Sequence, residues 1–405
     1  MLNNERGAAV RPSFSRWLSQ TNDITQQFMA MGVDPSFISM AGGLPAAEFY
    51  PVAAAAEAAD RALSRWGAAA LEYGPVDGFM PLRAHIADRM SRMAGRHFDT
   101  SNVLLTVGAM QGLDLIGKVL IDEGDRIVTQ YPTYVGALDA WRPRQPVYTP
   151  LDWGKPGTSV ETLRSAKFVY GVPNYSNPTG ALVPTPARAA LLEKALEADT
   201  WLVEDDPYLP LQYDGDAGPS MLALDGAMMP GGPYNGPVIY LGTLSKSIVP
   251  GLRVGWVIAS PDMIAALTLA KQSTDISSSM LTHAVALELL EADIEKVHVP
   301  GMVGHYRERR DALCAAALET LAPWFEWQVP SGGMFVWMKA RNSTIDTGVL
   351  YARALREKVA YVPGSVFDPA GVDTSSMRIN FTRNAPDVLR EGARRLAVAA
   401  KDAFG

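Results

Sequence analysis

The residues of this chain best suited to covalent chemistry lie in Leu241-Gly-Thr-Leu-Ser-Lys246-Ser-Ile-Val-Pro-Gly-Leu-Arg253-Val-Gly-Trp256. A lysine that follows a buried strand and is flanked by hydroxyls has a partly desolvated ammonium. Desolvation favours the neutral amine, the nucleophile that forms a Schiff base. Thr243, Ser245 and Arg253 add hydroxyl donors and a cation able to grip a phosphate. Read alone, the segment is equally a loop carrying a surface lysine.

A second segment, Trp201-Leu-Val-Glu-Asp205-Asp-Pro-Tyr208, ends an apolar strand in carboxylates and places a phenol three residues after Asp205. Such a carboxylate can hold a pyridinium nitrogen protonated, a charge-assisted contact of roughly 1.5–3 kcal/mol. It can also form a metal-binding or solvated acidic corner. Metal has little support, because His85, His97, His283, His298 and His305 are dispersed and none pairs with these carboxylates at ligand spacing. In Pro173-Asn-Tyr-Ser-Asn177-Pro-Thr-Gly180, Asn177 either begins a turn or donates its amide to a phenolate oxygen. Thr106-Val-Gly108-Ala109-Met110-Gln111-Gly112 joins a strand to a helix, whose first N–H groups suit an anion such as phosphate. It has neither Walker nor dinucleotide spacing. Tyr134, in Tyr131-Pro-Thr-Tyr134, can stack on a flat ligand or fill a core.

Elements that alternate along the chain must position these residues. Apolar runs at 103–107, 126–130, 168–172, 201–204, 238–241 and 254–259 read as buried strands, with helical stretches such as 110–120 and 186–197 between them. That alternation predicts an α/β fold with a largely parallel sheet covered on both faces. In such sheets ligands sit beyond the carboxyl ends of the strands, where the residues above fall. Further on, a helix over 306–321, strands over 333–338 and 377–381 and a last helix over 385–400 suggest a smaller α+β unit. The expected division is an N-terminal segment 1–48 packing on the small domain or a dimer partner, a large domain 49–295 and a small domain 296–405.

The bulk properties agree with a soluble enzyme of this size. The composition is 48% hydrophobic and 20% charged, and the net charge of -7 gives no basic footprint for nucleic acid. Cys314 is the single cysteine, which fits a reducing compartment. No secretory signal or membrane-spanning run is evident, so a cytoplasmic location is expected.

Taken in order, these motifs resemble the fold-type I, class I/II aminotransferases, which depend on pyridoxal 5'-phosphate (PLP). Within them the chain is most similar to the 2-aminoadipate/kynurenine aminotransferase group and the aminotransferase-like part of MocR-type regulators. The resemblance runs from Met40-Ala-Gly-Gly-Leu-Pro45 to Met377-Arg378-Ile-Asn-Phe381. It implies a large domain with a mostly parallel, seven-stranded type of sheet and a smaller α+β domain. Lys246 would be the Schiff-base lysine and Asp205 the partner of the pyridine nitrogen. Asn177 and Tyr208 would bond the ring hydroxyl oxygen, and Tyr134 would stack on the ring. Gly108, Ala109, Met110, Thr243, Ser245 and Arg253 would form the phosphate cup. Tyr73, in Glu72-Tyr-Gly-Pro-Val-Asp-Gly78, resembles a tyrosine that reaches the neighbouring subunit's cofactor, implying a homodimer with shared sites. Arg378 would clamp the substrate α-carboxylate, with Asn177 beside it, and Gly43 would let substrate approach the backbone. One departure stands out. Relatives often have Gly-Ser-Gln where this chain has Gly108-Ala109-Met110, which removes a hydroxyl from the phosphate site.

The implied reaction is transamination between an amino acid, aromatic, 2-aminoadipate-like or broad in range, and a 2-oxo acid such as 2-oxoglutarate. Arg16, beside Ser15 and Trp17, could meet a distal carboxylate or lie on the surface. Phe14, Met29, Met31 and Met40 could offer apolar contact or simply pack. Three rival readings use the same residues. One is a PLP lyase, decarboxylase or oxidase on the same scaffold. Another is a non-catalytic MocR-like effector-binding protein, disfavoured because about 40 residues precede the matching segment. The last is a serine-type hydrolase, for which Thr243-Leu-Ser-Lys246 has threonine where Ser-x-x-Lys requires serine.

Overall fold

The computed structural model describes residues 14–15, 17–18, 36–154, 159–228 and 233–405. In chain order the strands are β1 (Ile38–Ser39), β2 (Val103–Thr106), β3 (Arg126–Gln130), β4 (Val147–Leu151), β5 (Phe168–Gly171), β6 (Trp201–Asp205), β7 (Val238–Thr243) and β8 (Gly255–Ile258). They are followed by β9 (Phe325–Trp327), β10 (Phe335–Ala340), β11 (Val359–Ala360), β12 (Val362–Pro363) and β13 (Ser376–Asn380).

Seven strands form one sheet in the order β2-β8-β7-β6-β5-β3-β4. All pairs are parallel except those of β8, which runs against both β7 and β2. The central strands are buried on both sides, so they read in the sequence as unbroken apolar runs. Their side chains alternate between two cores. Leu104, Tyr170, Val203, Leu241 and Val257 face one core, shared with Leu113 and Ile116 of the helix Ala109–Leu120 and with Phe335 of β10. Val103, Val169, Leu202, Tyr240 and Trp256 face the other, with Leu82 and Ile86 of the helix Met80–Ala94 and Leu192 of the helix Thr185–Ala198.

A four-stranded antiparallel sheet, β12-β13-β10-β9, packs with the helices Ile294–Thr320 and Pro386–Phe404. The expected helix over 306–321 begins earlier, at Ile294, and accommodates Pro300 inside it. The edge strand β4 gave no apolar run, since it carries Pro150 and is only partly buried. The segment before residue 49 also contributes a strand, β1, paired in parallel with β11. Asn380 N–H then donates to Met40 O at 2.7 Å, which stitches the stretch after β1 to the end of β13. Among the described residues no helix is long and apolar enough to cross a membrane.

Candidate active site

A cavity of about 300 Å3 opens where the carboxyl edge of the large sheet meets β13 and residues 41–44. Its lining includes Gly43, Ala109, Met110, Tyr134, Asn177, Asp205, Tyr208, Thr243, Ser245, Lys246, Arg253 and Arg378. The reversed direction of β8 explains why Arg253 is among them. Gly255, the first residue of β8, pairs with both Thr106 and Thr243, the last residues of β2 and β7. The segment entering β8 is thereby returned to the edge at which the parallel strands end. The Arg253 guanidinium donates to Val107 O at 3.0 Å and to Ser245 Oγ at 3.4 Å.

Gly108 caps the helix Ala109–Leu120 at φ +82°, and a Cβ there would lie 2.5 Å from Arg253 Nη2. At Gly255 a Cβ would come within 2.8 Å of the Gly108 carbonyl carbon. Glycine at both places lets strand, loop and guanidinium close around the helix start, whose first N–H groups have no intrahelical acceptor. Gln111 braces this loop: its Oε1 accepts from Val107 N–H and its Nε2 donates to Asp275, each at 2.8 Å. Asp275 in turn pairs with the fully buried Lys271.

Asp205 ends β6 on the face it shares with Val203. Tyr170 is paired with Val203 across the sheet, so its phenol reaches the same face and donates to Asp205 Oδ2 at 2.9 Å. Asp205 Oδ1 is buried and has no hydrogen-bond partner among the described residues. Burial raises the Asp205 carboxyl to about 7 despite the Tyr170 bond. The corner is buried, so the solvated reading does not describe it. Glu204 is fully buried and accepts from the N–H groups of Met221 and Leu222. Asp206 accepts from Asn174 Nδ2 and the Tyr240 hydroxyl.

Lys246 is partly buried, and its Nζ donates to Gly43 O at 2.8 Å. Burial and the nearby guanidinium groups of Arg253 and Arg378 lower its amine to about 8, with Asp205 opposing them. Arg378 is central in β13 and stacks at 4.2 Å on the Phe335 ring and 4.9 Å on Phe367. It donates to Asn177 Oδ1 at 2.7 Å and to Ala41 O at 2.5 Å, leaving Nε–H without a partner among the described residues. Burial lowers it to about 10, so it stays cationic at neutral pH. Asn177 both belongs to a turn and reaches the site, where its Nδ2 lies 3.5 Å from the Tyr208 hydroxyl. Tyr134 is pushed up to about 12 by burial.

The set fits a flat, phosphorylated pyridinium. An unsatisfied buried carboxylate oxygen faces an amine, aromatic side chains flank the space, and a helix start with Arg253 lies at one end. Tyr73 stands apart: it is 80% exposed and does not line the cavity. Arg16, Met29 and Met31 lie outside the described residues. Sequence reasoning missed Tyr170, the apolar wall of Leu44, Val362, Val366 and Phe367, and Arg383 at the same cavity. Tyr170 sits inside an apolar run, and only strand register shows which face it takes.

The family model for aminotransferase class I and II matches residues 40–396. The chain is 36% identical over 376 residues to the aromatic-amino-acid aminotransferase 1 of Thermococcus litoralis, covering 90% of this chain and 88% of that protein. It is 38% identical over 374 residues to a 2-aminoadipate transaminase of Thermus thermophilus, covering 91% of each. A solved alpha-aminoadipate aminotransferase of Thermus thermophilus, complexed with N-(5'-phosphopyridoxyl)-L-leucine, superposes with a TM-score of 0.86 at 34% identity. That match covers 96% of this chain and 98% of the other. The protein belongs to the aminotransferase class I and II family and is a fold-type I, PLP-dependent aminotransferase.

Proposed function

We propose that Lys246 holds the cofactor's carbonyl carbon, that Asp205 faces the ring nitrogen, and that Arg378 receives the substrate α-carboxylate. The observation that carries this reading is the convergence of these three side chains, from β6, the turn after β7 and β13, on one cavity in which Asp205 Oδ1 lacks a partner among the described residues. When bound, PLP supplies a carbonyl that condenses with amines and a ring that draws electrons from the substrate Cα.

The protein's own residues do the rest. A positive charge beside Asp205 stabilises its anion and gives Oδ1 the partner it lacks, while Tyr170 fixes the orientation of the carboxylate. Asn177 and Tyr208 supply donors for a ring oxygen, and Tyr134 packs on the ring face. Gly108, Ala109 and Met110 contribute the helix start, and Thr243, Ser245 and Arg253 the side chains, of the phosphate cup. Arg378 is held flat between Phe335 and Phe367, with Asn177 and Ala41 fixing two of its nitrogens. The α-carboxylate is therefore met by a preoriented fork. An amine lowered to about 8 is neutral in an appreciable fraction at neutral pH, so Lys246 Nζ can take the proton from substrate Cα. Its hydrogen bond to Gly43 O keeps it on the substrate side.

The amino donor is an aromatic or 2-aminoadipate-like amino acid and the acceptor a 2-oxo acid such as 2-oxoglutarate, as the names of the relatives suggest. The working form is a homodimer in the cytoplasm, with Tyr73 reaching the partner's cofactor; its high exposure supports this. The chain divides at about residues 49 and 295, a division supported by the separation of the seven-stranded from the four-stranded sheet. Adding single amino acids to PLP-loaded protein without an acceptor tests the reading. One equivalent of 2-oxo acid per site, bleaching of the visible band and its return on adding 2-oxoglutarate are expected. Continuous product release without an acceptor would instead indicate a lyase, decarboxylase or oxidase.

A further inference from the structure

We propose that Gln111 and Asp275 are positioning residues for the cofactor phosphate, an inference that rests on the reading of the cavity above. Asp275 fixes which way the Gln111 amide faces, and the amide fixes the turn that leads into the anion-binding helix start. The carbonyls of that turn, over 106–108, are covered. Val107 O accepts from Arg253 at 3.0 Å, and Gly108 O accepts from the Thr106 hydroxyl and from Gln111 N–H, each at 3.1 Å. Gln111 is the third residue of the helix Ala109–Leu120, which Gly108 caps. A glutamine there ordinarily reaches back to the N–H of the cap residue itself. Here its Oε1 accepts from the N–H of Val107 instead, at 2.8 Å. The side chain thereby does not occupy the Gly108 N–H, which stays with those of Ala109 and Met110 at the helix start.

An amide offers both a donor and an acceptor, and its partners decide which end points where. Gln111 Nε2 donates to Asp275 Oδ2 at 2.8 Å. An ionised Asp275 only accepts and the Val107 N–H only donates, so one orientation of the amide satisfies both. Asp275 is itself held, since Lys271 Nζ lies 2.8 Å from Oδ1 and 3.0 Å from Oδ2 and Lys271 is fully buried. Helix formation does not account for a carboxylate here. Asp275 is the last residue of the helix Pro261–Asp275, where the macrodipole disfavours an anion, and the next residue, Ile276, has φ +61°, uncommon for a β-branched side chain. Lys271 offsets the charge, so no net anion stands behind the phosphate. In Asp275→Asn, Lys271 claims the new amide oxygen and the new NH2 group faces Gln111. Gln111 then loses that bond or turns its own NH2 onto the Val107 N–H. Adding Gln111→Glu supplies an acceptor to both neighbours and keeps the total charge of the pair.

The test titrates the full-length chain, freed of cofactor, with PLP and with pyridoxal, which lacks only the phosphate, and reads binding from the visible absorbance. Gln111→Leu is expected to lower PLP affinity about ten-fold, as for one buried hydrogen bond left unmade, while pyridoxal affinity stays within about two-fold of wild type. Asp275→Asn should do the same to about the same extent. Gln111→Glu alone sets two carboxylates against each other and should bind PLP at least as poorly as Gln111→Leu. The double variant Gln111→Glu/Asp275→Asn should return to within about three-fold of the wild-type PLP affinity. A Gln111→Leu or Asp275→Asn protein that keeps the wild-type ratio of PLP to pyridoxal affinity overturns the assignment. Equal weakening of both ligands overturns it as well, because it marks a general loosening of the fold, and so does a double variant no better than Asp275→Asn. If Asp275→Asn does not fold, Gln111→Leu against wild type decides. A wild-type chain that binds PLP no more tightly than pyridoxal would sink the proposed phosphate cup itself, whereas a wild-type preference untouched by either substitution sinks only this inference.

Discussion

The two faces of β6 carry the same chemistry to different ends. Glu204, Asp205 and Asp206 are consecutive and all buried, and burial raises each carboxyl. On one face Glu204 caps the start of the helix Met221–Met228, and Asp206 is bonded by Asn174 and Tyr240. On that face every carboxylate oxygen named has a protein donor, and Arg188 backs the cluster by donating to Asn174 Oδ1 at 2.7 Å. On the other face Asp205 has Tyr170 on one oxygen and, among the described residues, nothing on the second. A buried acceptor left unmade destabilises the empty fold, and the cost is recovered only when a cation arrives. A saturated carboxylate is architecture. An unsaturated one aimed into a cavity is a receptor.

The largest expected effect comes from breaking the receptor face. Asp205→Ala should lower transamination about a hundred-fold or more, on the scale of a lost buried charge-assisted contact, measured as single-turnover conversion of the loaded enzyme. Asp205→Asn should also change the empty protein. The folded carboxyl titrates near 7, against 3.8 ordinarily, so the fold favours its protonated form. That group imposes no penalty while it is protonated in both folded and unfolded chains; the penalty grows as pH rises from about 4 to about 7. Denaturant titrations of PLP-free protein should therefore show Asp205→Asn gaining stability over wild type toward neutral pH and not at pH 4. The same gain at both pH values would break the comparison.

The architectural face should respond differently, with a smaller effect on the reaction. Asp206→Asn or Glu204→Gln puts an amide where two donors converge, yet turnover should stay within about three-fold of wild type. A severe loss of turnover in Asp206→Asn with stability intact would mean that both faces serve the reaction.

Much of the receptor face was legible because its residues stand at or just after the ends of apolar runs: Asp205 at the end of β6, Lys246 after β7, Asn177 after β5, Gly108 after β2. Strand ends converge in a parallel sheet, so distance along the chain did not hide them. What remained hidden depends on pairing. Tyr170 lies within its strand, and only register to Val203 turns it toward Asp205. Glu204 looked like part of an acidic corner because the helix start it caps comes 17 residues later. Leu44 and Arg383 reach the same cavity because the last residue of β13, Asn380, bonds Met40, a contact between segments far apart in the chain. Val147–Leu151 went unseen because a half-exposed edge strand with a proline lacks an apolar signature.

Everything proposed for this cavity depends on Lys246 being the amine that carries the cofactor. Reducing the PLP-loaded protein with borohydride and mapping its peptides by mass tests this most directly. One phosphopyridoxyl group per chain is expected, on the peptide containing Lys246, with neither the label nor turnover in Lys246→Ala. A label on another lysine, or full turnover in Lys246→Ala, would contradict it.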